Sequence, residues 1–569
     1  MMVLYKLFIA LCVLTTCSAR QHSNTSASQY SLYEVRLGAS QLPTNPFALW
    51  CHVLVSGPST SRYPNMNITM FYDGGTEWAW RFTPDVVGEW QWSTRCEKGY
   101  GLDGIQGSVS IVAAQDGRLG AVLVDPHAPL QMIYEAGKQY TLVGIEADWL
   151  WAMGLLHGKA AMQSVVDGLD ALGINHVLVQ IYAHSTSGQK LPPLQPPRVS
   201  PTPTTPWASF DQQTLDLSFW RNYDDMLGMF AARNMIAHVM FFVGNKNVEW
   251  PAENSTADDI YWRYAMARLG AHPSVVLDVS KEAGSANAKR SVGYFIDRLR
   301  LMRSMNAHGR LLTAHSGFDW TNQCKQAPEL CQVTSAQVHF PYSGDDASAL
   351  GCSNSFPPLP CPLAMLTYYH SVFILRLNVS LCAVPHIYKE YYPALFQAAA
   401  DATAPYINVE FFYQWGPSDG CHFSCCGSCT NSSGAQNPSG NLNFMRKVMW
   451  ENYMAGITGA CWYHDDLGWD VLDPRALTTT AGEMRALRTL RDFWESVPRR
   501  EFVALPTDLC VASLQPSASA VHCLVRKNGS QPAEMILHVR REESARRVSQ
   551  TRTAPPPPWA NHCHAPSLG

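Results

Sequence analysis

Two glutamates carry the chemistry this chain is best equipped to do. Glu282 closes the apolar run Ser-Val-Val-Leu-Asp-Val-Ser-Lys-Glu, and Glu410 closes Tyr-Ile-Asn-Val-Glu. Each stands where a short buried strand would end. Two carboxyl groups flanking a sugar can cleave a glycosidic bond: one protonates the leaving oxygen, and the other attacks the anomeric carbon or activates water. Carboxyls about 5–5.5 Å apart give retention of configuration, and about 6.5–9.5 Å apart inversion. The acid must keep its proton near neutral pH, which a desolvated, aromatic-lined cleft favours. A plainer role exists for Glu282, in Ser-Lys-Glu-Ala-Gly, as a charge offsetting a helix macrodipole. It fits Glu410 less well, because Phe-Phe-Tyr-Gln-Trp follows and a charge in an apolar stretch is costly without a purpose.

Other polar and aromatic residues close similar runs: Asp148 and Trp149, His184, Asn245, His315, His339 and Tyr342, Trp415, and Trp462. The histidines together suit sugar hydroxyls, and the tryptophans suit stacking on sugar C–H faces. The same histidines could instead hold a metal in a metal-dependent hydrolase. No HExxH spacing occurs, so neither a metal nor a cofactor is expected.

The elements that must position these residues read as eight apolar runs, at 140–149, 174–184, 235–245, 274–282, 309–317, 335–343, 406–415 and 457–466. Helical patterns separate them, for example at 160–173, 217–234, 288–309 and 442–456. Eight parallel strands buried on both faces make a (β/α)8 barrel, here over 120–498. Active-site residues of such barrels lie at the carboxyl ends of the strands, and strands four and seven face each other, so Glu282 and Glu410 could flank one ligand. The proline-rich stretch 191–206 then becomes a long loop on the catalytic face. Ahead of the barrel, short alternating runs with turn signals over 30–115 predict an Ig-like β-sandwich. After it, 499–545 reads as a small β module and 546–569 as a disordered tail.

Composition bounds the function classes. The chain has 569 residues, and 42 Lys+Arg against 46 Asp+Glu leave a net charge of 42 − 46 = −4, which argues against an electrostatic nucleic-acid binder. Hydrophobic residues make up 46%, which excludes a mostly disordered chain. Charged residues are only 15%, beside 18 Trp, 23 Tyr and 21 Phe. That balance fits either a large core or a flat, uncharged, hydroxylated ligand.

The N-terminus, with one Lys before an apolar run and Cys17-Ser18-Ala19 after it, reads as a secretory signal peptide over 1–19. It is too short to span a membrane, so an extracellular or lumenal chain is expected. Six glycosylation sequons, at Asn24, Asn67, Asn254, Asn378, Asn431 and Asn528, agree. Of 17 cysteines, 17 − 2 = 15 lie beyond the leader, so at least one thiol is free or pairs between chains. Cys51/Cys96, Cys324/Cys331, Cys352/Cys361 and Cys510/Cys523 are the expected disulfides. The cluster Cys421 to Cys429 reads as a disulfide loop more readily than as a zinc site.

The stretches 71–94 (FYDGGTEWAWRFTPDVVGEWQWST) and 102–112 (LDGIQGSVSIV) resemble the DUF5060-type Ig-like domain that precedes a group of glycoside hydrolase-like proteins. The stretches 137–151, 210–227, 263–284 and 406–415 resemble the apiosidase-like, DUF4038-type (β/α)8 barrel of that group, and 487–498 fits its late helix. The resemblance implies a retaining glycoside hydrolase with Glu282 as acid/base and Glu410 as nucleophile. It implies an oligo- or polysaccharide or glycoconjugate substrate; the charge balance argues against a nucleic-acid partner, no run of 18 or more apolar residues follows the leader, so no membrane span is expected, and the oligomeric state stays open. One departure stands out: the residue before the strand-four Glu is commonly Asn, and here it is Lys281. A non-catalytic glycan- or matrix-binding protein on a barrel scaffold is the alternative that this lysine raises.

Overall fold

The computed structural model describes residues 21–115, 117–182, 205–244, 250–283, 290–316, 323–337, 397–409, 413–414, 449–464, 487–505, 521–526 and 535–539. Two β-sheets come first. One has five strands, in the order Gln21–Ser28, Gln106–Val112, Gly88–Arg95, His52–Ser56 and Asn65–Thr69; the other has three, Tyr33–Gly38, Glu77–Phe82 and Phe71–Gly74. The alternation of Glu-Trp-Gln-Trp and Glu-Trp-Ala-Trp turns Trp90 and Trp92 of one sheet and Trp78 and Trp80 of the other into a single core. Trp80 and Trp92 meet with ring centroids 5.3 Å apart. The Cys51–Cys96 disulfide closes the same sandwich, as expected. Its first strand, Gln21–Ser28, lies ahead of the residue 30 at which strand-like alternation begins, and pairs parallel to Gln106–Val112.

The barrel wall is built from β1 (Leu142–Glu146), β2 (His176–Gln180), β3 (Ile236–Met240), β4 (Val275–Asp278), β5 (Leu312–Thr313 and His315–Ser316), β6 (Thr334–Ala336), β7 (Tyr406–Asn408) and β8 (Gly459–His464). All neighbouring pairs are parallel, in the order β5-β4-β3-β2-β1-β8-β7-β6-β5. The two halves of β5 bond opposite neighbours, β4 and β6, so the pairing runs round an eight-stranded, nearly closed barrel. All eight predicted runs supply a strand. Every residue of β1, β2, β3 and β4 is buried, as strands covered on both faces must be.

Around the wall lie α1 (Leu150–His157), α2 (Lys159–Ala171), α3 (Leu217–Ala231), α4 (Thr256–Leu269) and α5 (Val292–Met305). Side chains of Asp216, Ser255 and Ser291 cap α3, α4 and α5. A hairpin of Val122–Asp125 and Ala128–Tyr134 sends Met132 and Tyr134 into the cluster at the amino end of the lumen. Phe502–Leu505, Val521–Arg526 and Met535–Val539 form an antiparallel three-stranded sheet after the barrel. Cys324–Cys331 is formed, and Cys461 is a buried free thiol. Cys352, Cys361, Cys510 and the 421–429 cluster lie outside the described residues. Among the described residues no helix is long and apolar enough to cross a membrane.

Charge stitches the sandwich to the barrel. Asp224 on α3 accepts two bonds from Arg81 of the sandwich, both 2.8 Å, and two from Arg268 on α4, at 2.9 and 2.6 Å. Arg268 also reaches Asp73 at 2.9 Å, and Arg81 reaches Glu34 at 2.6 Å. Burial pushes the Asp224 carboxyl up, but Arg81 and Arg268 outweigh it and hold it well below the usual carboxylate range. Removing one partner of a buried pair strands the other charges. Asp224→Ala is therefore expected to destabilise the fold by about 3–5 kcal/mol in denaturant unfolding.

Candidate functional site

Alternation along the strands sorts the wall into two faces. On the inner one, Leu142, Leu178, Ile236, Met240, Val276, Leu311 and Cys461 share one apolar cluster. Residues on the opposite face, such as Val143, Val177, Val239 and Leu277, pack in the separate cluster that includes the helices. Toward the carboxyl end the lumen turns polar. Glu146, Asp148, Gln180, Asp278, His315 and Gln337 come from β1, β2, β4 and β5 and the segments just after β1 and β6, and all are buried. So many polar groups in one buried place cost free energy unless they serve each other or a ligand.

Lys281 is the centre of this zone. It is 2% exposed, its Nζ ion-pairs with Glu146 Oε1, and Asp148 Oδ1 lies 3.9 Å away. The chain leaves β4 between two neighbours here: Lys281 N donates to Phe242 O at 2.9 Å, and Ala283 N to His315 O at 3.0 Å. Glu282 between them is half-buried and has φ = 51°, in the left-handed region. That conformation is costly for a residue with a Cβ, and such strain gathers at functional sites. Gln337 Nε2 donates to Glu282 Oε1 at 3.4 Å. Among the described residues, neither amide atom of the fully buried Gln180 has a hydrogen-bond partner.

A second polar feature crosses the lumen beneath. Tyr140 OH lies 2.9 Å from His176 Nδ1, His176 Nε2 lies 3.1 Å from His238 Nδ1, and His238 Nε2 lies 2.7 Å from Asp278 Oδ2. Burial, and then His238, push the His176 pKa well below the ordinary value, so this ring is neutral. Burial does the same to His308, helped by Arg310. A histidine depressed in the fold binds fewer protons than in the unfolded chain below pH ~6.5, so stability rises with pH up to about 6.5 and levels off above it. Urea midpoints measured across that range should show this slope, and His308→Gln should reduce it, leaving the part due to His176.

Of the residues singled out in the sequence, the structure brings Asp148, His315 and Glu282 to one mouth. Trp149 and Trp462 are a correction: they are 1% and 0% exposed and pack in the cluster outside the wall. The neighbour of Trp462, Cys461, faces the lumen, so Trp462 points away from it. A stacking platform for sugar does not fit either position. Glu410, His184, Asn245, His339, Tyr342 and Trp415 lie outside the described residues. Sequence reasoning missed Glu146, Gln180, Asp278 and Gln337. The period of two was the available signal, since Glu146 lies two residues before Asp148 on one strand face. Among the described residues no group of three His, Cys, Asp or Glu side chains is arranged to hold a metal ion.

Comparison with known proteins agrees with this architecture. Residues 26–97 match the family model of a domain of unknown function, DUF5060. No curated protein matches the chain. Among solved structures, a "putative glycoside hydrolase" from Bacteroides vulgatus ATCC 8482 superposes with a TM-score of 0.60 at 15% identity, covering 89% of this chain and 84% of that one. A glycoside hydrolase family 5 protein from the same organism gives 0.45 at 14% identity, covering 74% and 80%. A family 5 mannosidase from Rhizomucor miehei gives 0.43 at 11% identity, covering 67% and 99%. The chain therefore carries a DUF5060 segment ahead of an α/β barrel with the fold of the first of these structures.

Proposed function

We propose that the protein is a secreted glycoside hydrolase that cleaves an O-glycosidic bond of an oligo- or polysaccharide or glycoconjugate. Glu282 protonates the leaving oxygen while the Glu410 carboxylate attacks the anomeric carbon; Glu282 then takes a proton from the water that releases the sugar, with net retention. The observation that carries this reading is Glu282 itself: a carboxylate just past β4, beside the buried polar groups of the lumen, in a left-handed backbone conformation that costs a residue with a Cβ free energy. Asp148 and His315 suit sugar hydroxyls there, and His184, Asn245, His339, Tyr342 and Trp415 are assigned to the same task from the sequence. The signal-like leader and the two disulfides support secretion. The test is release of reducing sugar from a panel of glycans, with proton NMR of the anomer first formed. Release with retained configuration is expected; turnover with the inverted anomer would refute the assignment of a nucleophile.

Lys281 supports a second reading. Its ion pair with Glu146 occupies the mouth at the position where the resembling barrels carry Asn. A glycan-binding protein without turnover would then retain the barrel as a scaffold. Binding of labelled glycans with no product from the same panel would favour it.

A further inference from the structure

We propose that Asp278 is the positioning residue that holds Glu282 in its left-handed conformation; the kinetic consequence rests on the proposed glycosidase reading, the conformational one does not. β4 departs from its neighbours out of register. Val279 N bonds Thr313 O, and Ala283 N bonds His315 O, so four residues of the β4 chain span two of β5. On the other side, Phe241 N bonds Asp278 O, and the next contact is Lys281 N to Phe242 O, again out of regular step. A bulge of this kind orphans backbone donors. The amides of Ser280 and His315 are the two that a regular parallel ladder would hand to backbone carbonyls. Both go instead to one atom, Asp278 Oδ1, at 3.0 and 2.9 Å.

The other oxygen is tied as firmly. Asp278 Oδ2 lies 2.7 Å from His238 Nε2, and His238 is fixed through His176 to Tyr140. With His176 neutral, one consistent set of donors runs from the Tyr140 hydroxyl to His176, from its Nε2–H to His238, and from His238 Nε2–H to the carboxylate. All four groups are buried. The chain starts beside β1 and ends under the bulge, so the barrel interior fixes the carboxylate that fixes the turn. Nothing in this needs Asp278 to touch substrate; it acts through Glu282.

The experiment is a stability cycle joined to kinetics, on the full chain. Glu282→Gly relieves the left-handed strain and is expected to raise the melting midpoint by about 2 °C in the wild-type background. In Asp278→Ala the turn has lost its acceptor, and the same Gly substitution is expected to give no gain. Asp278→Asn keeps an oxygen for both amides, and there the gain returns. On any glycan the wild type cleaves, Asp278→Ala is expected to lower kcat about 100-fold with KM little changed, with recovery to within several-fold in Asp278→Asn. An equal gain from Glu282→Gly in wild type and Asp278→Ala overturns the proposal, whatever the activity. If Asp278→Ala does not fold, Asp278→Ser, too short to reach both amides, is read the same way. A wild type without turnover refutes the glycosidase reading alone, because the melting arm still decides this one.

Discussion

Glu282→Gln is expected to lower kcat by about 10²–10⁴-fold, the usual worth of a positioned general acid, while the melting midpoint stays near that of the wild type. The amide keeps the shape and the contact from Gln337 but cannot deliver the proton. Its left-handed φ of 51° adds a second expectation. Glu282→Gly should be as inactive as Glu282→Gln yet more stable than wild type by about 1 kcal/mol, because glycine pays no Cβ penalty there. A residue whose removal stabilises the fold and abolishes activity is one retained for chemistry. Steady-state kinetics and denaturant unfolding of the two variants check both halves. Full activity in Glu282→Gln would remove this residue from the mechanism.

Lys281→Met is expected to destabilise the protein by about 3–5 kcal/mol, because it removes the cation that pairs with Glu146 in a lumen where both are buried. The double variant Lys281→Met with Glu146→Leu should recover most of that loss, since replacing a whole buried pair with apolar groups is often near neutral. Denaturant midpoints of the two singles and the double give the coupling energy directly. Additive losses would mean that the pair does not act as a pair. A different double variant at the same positions bears on the second reading: if the lysine blocks the mouth, Lys281→Asn with Glu146→Gln should turn over a glycan that the wild type only binds.

The barrel was legible because its strands are buried on both faces and so read as short apolar runs set off by helical patterns. Gln21–Ser28 was not legible, since Gln-His-Ser-Asn-Thr-Ser-Ala-Ser has no alternation and its place comes from pairing with Gln106–Val112. Nor does α4 show a one-sided pattern: wedged between sandwich and barrel, it buries residues nearly all round, including Asp258 and Arg268. Strand ends gave Asp148, His315 and Glu282, because barrel topology brings those ends to one rim. They misplaced Trp149 and Trp462 because position along a strand does not say which face a side chain takes. The lumen chain from Tyr140 to Asp278 was invisible for a related reason. Its members are far apart in sequence, and only the closure of the barrel makes them neighbours.

If Glu282 and Glu410 form one two-carboxylate site, a crystal structure of the protein should place their carboxyl groups about 5–5.5 Å apart across a shared cleft, the spacing that retention requires. Carboxyls facing different clefts, or further apart than about 9.5 Å, would contradict it.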